Sequence, residues 1–175
     1  MSEFGEIIET TTIDEPPVEW LGIKTQILIG LLLAGLVFWK ITTTGAAFVD
    51  APKWSIFDSP VTNAIFSGLV GIVENLIFFA IIPPTAFAIC MLYSENPWMS
   101  FMVMLVVGMS VFTTYHSWRY GYDEMALLSV ASFAMINIVI VHFTKSIIIS
   151  DIIHFTNNFA LGAGYATRVA LSVVF

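Results

Sequence analysis

The sequence predicts an all-α protein whose helices form a bundle inside a lipid membrane. Of its 175 residues, 58% are apolar and only 11% are charged, whereas soluble domains carry about 25% charged residues. The mean hydropathy of +0.89 is typical of a chain whose main solvent is lipid. Because several apolar runs are long enough to cross about 30 Å of hydrocarbon, we expect a polytopic transmembrane bundle of about five spans.

Five apolar runs form the predicted spans, and all the tryptophans fall at or near their ends, where the indole ring prefers the headgroup region. The second run has an alternative, 61–82, that would end at Pro83-Pro84. We prefer 68–92, in which the prolines lie within a membrane helix and residues 54–60 form an interfacial segment. The predicted spans are Trp20 to Trp39, 68–92, 98–118, 125–143, and Ser146 toward Tyr165.

The charged residues outside these spans divide the chain into two parts. Residues 1–19 are acidic, contain neither Lys nor Arg, and predict a solvated, disordered tail. Residues 20–175 form one transmembrane domain. A net charge of −7 with six dispersed Lys and Arg residues argues against a nucleic-acid partner, and the lipid bilayer is the expected environment. The single cysteine, Cys90, excludes an internal disulfide framework.

The basic residues also predict an orientation, because cytoplasmic connections carry an excess of Lys and Arg. If the first span ends on the cytoplasmic side, four basic residues lie on that side and two on the other. The expected cytoplasmic group is Lys40, Lys53, Arg119 and Arg168, and the opposite group is Lys24 and Lys145.

One acidic residue beyond the tail, Glu74, lies well inside an apolar run. A carboxyl at membrane depth costs a few kcal/mol, so its presence indicates a functional site more often than a structural, hydrogen-bonded glutamic acid. His116 and His154 are candidate partners of Glu74. His142 lies at the end of the fourth span, where we expect it to have a structural role. His154 and Asn158 are four residues apart and share one helix face. With the 68–92 boundary, these groups converge in one pocket that opens toward the cytoplasmic side.

Three short motifs in this region resemble those of a known enzyme family. Glu74-Asn75 with Phe79, Phe112-Thr-Thr-Tyr-His116, and His154-Phe-Thr-Asn-Asn158 follow in order along the chain. They are similar to the EExxxR, FxxxH and HxxxN motifs of the CPBP or ABI family, which contains the CAAX proteases and bacteriocin-processing enzymes. The resemblance covers about residues 68–160, the expected catalytic core.

The resemblance implies an intramembrane endopeptidase of the glutamate type. Glu74, with His116, would activate a water molecule, while His154 and Asn158 would donate hydrogen bonds to the oxyanion. The expected supporting residues are Asn75, Phe112 and Asp151. The implied partner is a peptide or lipidated-protein substrate in the membrane, and no cofactor is expected.

The first motif departs from the family pattern. Asn75 stands where the family has its second glutamate, and Phe79 stands where it has arginine. Both departures favour an alternative, in which the chain is a catalytically inactive relative that acts as a membrane binding or bacteriocin self-immunity protein.

Two further alternatives use the same polar residues. A zinc hydrolase would take Glu74, His116 and His154 as ligands, although the chain has no HExxH motif. A proton or ion pathway through Glu74 and the histidines is disfavoured, because the opposite half of the spans is almost entirely apolar.

Overall fold

The computed structural model describes residues 21–44, 59–120 and 123–174 and confirms the all-α prediction. The described residues form helices joined by short connections, with no β-strand among them. A single π-helical turn separates α2 from α3, and the three segments form one continuous helix. The elements are α1 (Ile23–Thr44), α2 (Pro60–Asn75), the π-turn (Leu76–Ile81), α3 (Ile82–Ser94), α4 (Pro97–Tyr120), α5 (Glu124–Thr144) and α6 (Ile148–Val174).

Local sequence signals set the helix ends. Ser59 caps α2, whose first residue is Pro60, and Asp123 caps α5 by accepting a 2.7 Å hydrogen bond from the Ala126 amide. The Asn96 side chain caps α4 in the same way. Lys145 follows α5 in the left-handed conformation, with φ of 51°, and turns the chain toward α6.

The second helix is longer than either of the two spans, 68–92 and 61–82, that the hydropathy suggested. It begins at Pro60 rather than residue 68, and it continues past Pro83-Pro84 to Ser94. The π-turn explains this continuity: the Ile82 amide donates to the Ile77 carbonyl, an i to i−5 bond. Widening the turn just before the prolines eases the clash between a proline ring and the preceding carbonyls. The 34-residue apolar stretch is about 51 Å long, so it must tilt or extend beyond the hydrocarbon layer.

The bundle is organised around two central helices, α6 and α4. The polar first half of α6 packs between α1 and α2, and α4 packs between α3 and α5. Gly30 of α1 lies against Ile149 and Ile152 of α6, and Ile41 clusters with Ala160. Helices α1 and α6 therefore run parallel. The π-turn touches α2, α3, α4 and α5, so it joins the two halves.

Four apolar segments among the described residues are long enough to cross a membrane: Ile23–Ile41, Val61–Ser94, Pro97–Ser117 and Glu124–Thr144. The fifth predicted span, from Ser146 toward Tyr165, is helical, but polar side chains in α6 reduce its hydropathy. An integral membrane protein is thus supported by four helices. The predicted acidic tail and residues 54–58 of the predicted interfacial segment lie outside the described residues.

Glycines permit the closest helix contacts. A Cβ placed on Gly68 would lie 2.6 Å from the Phe155 ring, so this ring of α6 packs directly on the backbone of α2. A Cβ on Gly108 of α4 would lie 2.6 Å from Ile138 Cδ1 and 2.9 Å from Pro83 Cγ. Such small residues let membrane helices approach closely.

We expect Gly108→Leu to destabilise the bundle by about 1–3 kcal/mol, because the added side chain would collide with Pro83 and Ile138. Gly35→Leu on α1 is the matched control, since a Cβ there has no neighbour within 4 Å. Thermal unfolding of both variants in one detergent measures the difference. Equal melting temperatures for the two would contradict the packing described here.

Candidate functional site

The three predicted reactive residues meet in the interior of the bundle. Glu74, at the end of α2, is only 4% exposed, and His116 and His154 are equally buried. The distance from Glu74 Oε2 to His154 Nε2 is 3.3 Å, and that from Glu74 Oε1 to His116 Nε2 is 4.0 Å. Each carboxyl oxygen therefore faces a different imidazole. Helices α2, α4 and α6 contribute one residue each.

Asn75 orients one of these imidazoles and is completely buried. Its Nδ2 donates to Asp151 Oδ1 over 2.9 Å, and its Oδ1 lies 2.6 Å from His154 Nδ1. Because the amide nitrogen is committed to a carboxylate, the amide oxygen must be the acceptor from His154. His154 thus carries a proton on Nδ1 and turns Nε2 toward Glu74.

The second imidazole is oriented by its own helix. His116 Nδ1 lies 2.9 Å from the Phe112 carbonyl oxygen, one turn earlier in α4. A carbonyl only accepts, so Nδ1 of His116 is also the protonated nitrogen. The Phe112 ring packs against the imidazole with 4.2 Å between ring centroids. Phe112, predicted as a supporting residue, therefore holds His116 through both its backbone and its ring.

The 3.3 Å contact between Glu74 Oε2 and His154 Nε2 favours a proton shared by the two groups. With Nδ1 protonated, a neutral imidazole presents the Nε2 lone pair to the carboxyl, and two lone pairs cannot form a favourable buried contact. Either Glu74 is protonated and donates to Nε2, or His154 is an imidazolium that donates to the carboxylate. Asp151, Asn75, His154 and Glu74 thus form one continuous polar chain.

Asn158 lies beside this chain rather than within it. It is half-buried on α6, one turn beyond His154, and it accepts a 3.3 Å hydrogen bond from Asn157. Gly71 of α2 makes room for both side chains: a Cβ there would lie 3.0 Å from Asn158 Nδ2 and 3.1 Å from His154 Cδ2. The prediction that His154 and Asn158 share a face therefore agrees with the structure.

Aromatic rings enclose the histidines. Phe79, from the π-turn, packs at 5.0 Å from the Phe112 ring and 6.2 Å from His154. Phe133 of α5 approaches the same imidazole edge-on at 4.8 Å. Phe79, which stands where the similar family has arginine, is a 1% exposed core residue. The apolar surroundings lower the local dielectric and strengthen the electrostatic interactions of the polar chain.

The metal alternative gains no support from the geometry. Within the described residues, no group of three His, Cys, Asp or Glu side chains is arranged to hold a metal ion. Glu74, His116 and His154 remain the ligands that the zinc hypothesis would require. Full activity in the presence of a chelator would exclude zinc, whereas a stoichiometric metal in purified protein would support it.

Two features of the interior were not predicted from the sequence. The first is the role of Asn75 as a link between Asp151 and His154, which are separated from it by 76 and 79 residues along the chain. The second is a buried pair in which Ser150 Oγ donates to Asn137 Oδ1 over 2.7 Å. The sequence offers a signal for both, because each has an amide residue inside an apolar run.

We expect ¹⁵N NMR of histidine-labelled protein to show His116 and His154 protonated at Nδ1, in contrast to the Nε2–H form that free neutral histidine favours. In Asn75→Leu, we expect only His154 to lose its preference for a proton on Nδ1. This substitution removes the Asn75 oxygen that accepts from Nδ1, and leucine has nearly the same shape as asparagine. An unchanged His154 signal in that variant would contradict the assignment, and His116 serves as the internal control.

No family model, curated protein or solved structure matches this chain.

Proposed function

We propose that this protein is an intramembrane endopeptidase in which Glu74 activates a water molecule. The observation that carries the proposal is the convergence of Glu74, His116 and His154 from three helices, with Asn75 and Asp151 behind them. A buried carboxyl that is matched by two oriented imidazoles is a common basis for general acid–base chemistry.

The first chemical step uses the gap between Glu74 and His116. Their 4.0 Å separation is too long for a direct hydrogen bond, and a water molecule beside both groups would join them. With the shared proton on His154, the Glu74 carboxylate takes a proton from this water molecule. The oxygen of the water attacks the carbon of the peptide carbonyl at the same time. Glu74 then delivers that proton to the amine nitrogen as the C–N bond breaks.

The second requirement is stabilisation of the tetrahedral oxyanion. Once Glu74 has taken the proton from water, the Nε2–H of the His154 imidazolium is no longer held by a carboxylate. This N–H and the Asn158 amide, one turn along α6, are then the candidate donors. Asn75 supports this role because it holds the Nδ1–H of His154, as outer partners of catalytic groups do. The substrate is a peptide bond near the membrane surface, in a peptide or lipidated protein.

A non-catalytic function is the second candidate, and Phe79 favours it. Where the similar family has arginine, this chain has a ring packed into the core against Phe112. In this alternative the protein binds a membrane partner, as a self-immunity protein would, and the polar chain from Asp151 to Glu74 only specifies helix packing.

We expect purified protein in nanodiscs to cleave members of a mixed set of lipidated and leader-type peptides. Glu74→Gln should lower kcat at least 10³-fold, since it removes the base while nearly preserving shape, and His154→Ala should lower kcat about 10²–10³-fold. Glu95→Gln, at an exposed glutamate after α3, is the matched control and should retain the wild-type rate. Product analysis by mass spectrometry gives both the rate and the cleaved bond.

Wild-type cleavage that survives Glu74→Gln would overturn the proposed mechanism. If wild type cleaves none of the peptides and the variants fold normally, the binding function becomes the better account. Asn75→Leu separates positioning from chemistry: we expect a lower kcat, an unchanged KM and a displaced pH–rate profile.

The proposed active site opens toward the cytoplasmic side, with the α4–α5 connection on that face. In a background where Cys90 is replaced by alanine, Glu124→Cys at the start of α5 should resist an impermeant maleimide in intact cells. Glu95→Cys, at the other end of the bundle, should react. Permeabilised cells provide the control for both, and the reverse labelling pattern would invert the orientation.

A further inference from the structure

A cavity of about 430 Å³ lies between α3 and α5, apart from the Glu74 site. Its walls are the π-turn and the start of α3, Met104 of α4, and the last two turns of α5. Helices α3 and α5 both pack on α4 and line the cavity from opposite sides. The apolar wall includes the buried side chains of Phe79, Pro83, Met104 and Ile138 and the half-buried ring of Phe87.

The polar end of the cavity lies at the end of the bundle. Lys145, Ser146 and Ile147, which connect α5 to α6, line it together with His142. Lys145 is exposed, so its ammonium group is hydrated where it meets the cavity. At the same connection, the Ile148 amide donates a 3.3 Å hydrogen bond to Ser146 Oγ, so Lys145 is the source of positive charge at this end. The cavity is therefore apolar along its length and positive at one end.

We propose that this cavity binds a single long-chain fatty acid as its carboxylate. The acyl chain would lie along Phe87, Met104 and Ile138, and the carboxylate would meet Lys145. The volume falls within the range of pockets that hold one small molecule, about 300–1,000 Å³. A two-chain phospholipid is too large for it, and the charge at the mouth selects against cationic and neutral amphiphiles.

The proposed ligand site is independent of peptidase activity. Phe79 lies between the cavity and the Glu74 site, since its ring borders the cavity and packs against Phe112 on the other side. Glu74, His116 and His154 are not among the lining residues. Binding can therefore be measured whether or not the protein cleaves peptides.

The test uses a palmitate analogue with a photoreactive diazirine on its acyl chain, added to the full-length protein in nanodiscs. We expect saturable labelling that maps to peptides containing residues 79–87 and 138–147. Unlabelled palmitate should compete at least tenfold better than hexadecanol or hexadecyltrimethylammonium, because only palmitate carries the negative charge that Lys145 attracts.

Two pairs of variants locate the site. Lys145→Ala should weaken palmitate binding about tenfold, whereas Lys24→Ala, at an exposed lysine of α1, should not. Val141→Phe should block the cavity and abolish labelling, whereas Val106→Phe, on an exposed face of α4, should not. Equal competition by palmitate and hexadecanol, or full labelling of folded Val141→Phe, would overturn the proposal.

Discussion

The structure depends on burying one carboxyl group, that of Glu74, which is the one charged side chain in the apolar stretch Val61–Ser94. An isolated charge there would cost several kcal/mol, so the surrounding helices must supply partners. His154 contacts the carboxyl, Asn75 holds His154, and Asp151 accepts from Asn75. His154 and Asp151 lie on α6, so the close packing of α2 against α6 follows from this requirement. Gly68 and Gly71 make that approach possible.

The π-turn links this polar chain to the rest of the bundle. It begins directly after Asn75 and ends directly before Ile82, so the polar pair and the two prolines flank it. Its Phe79 ring packs on Phe112 and faces both His154 and the cavity between α3 and α5. A π-turn changes the register of the residues that follow it, which is why such turns occur often at functional sites. One local irregularity thus shapes two separate sites.

The two proposed sites lie toward opposite ends of α5. His116 is near the end of α4 that leads into α5, whereas Lys145 is at the connection that follows α5. This separation suits a membrane protein, because a peptide and a fatty acid could enter from opposite faces. Phe79 and Phe133, together with the other rings of the core, fill the interior between the two sites.

The sequence by itself determined the helical class and the membrane setting, and it singled out the three titratable residues that meet in the interior. Composition indicates that the helices lie in lipid, and the position of one carboxyl inside an apolar run identifies Glu74. Both signals can be read from the chain without knowing which helices meet. The predicted convergence assumed that the second span starts at residue 68. Helix α2 instead begins at Pro60, and His154 and His116 nevertheless approach Glu74 closely. The boundaries of the second span were wrong, because hydropathy cannot register a Ser59 cap or a π-turn.

Only the tertiary structure decided what Asn75, Phe79 and Lys145 do. Asn75 looked like a lost glutamate, yet it joins Asp151 to His154, two residues more than 70 positions away. Phe79 looked like a lost arginine, yet it belongs to the aromatic core. Lys145 looked like an ordinary loop charge, yet it stands at the end of a cavity. Each role depends on which helices meet, and a single sequence does not state those pairings.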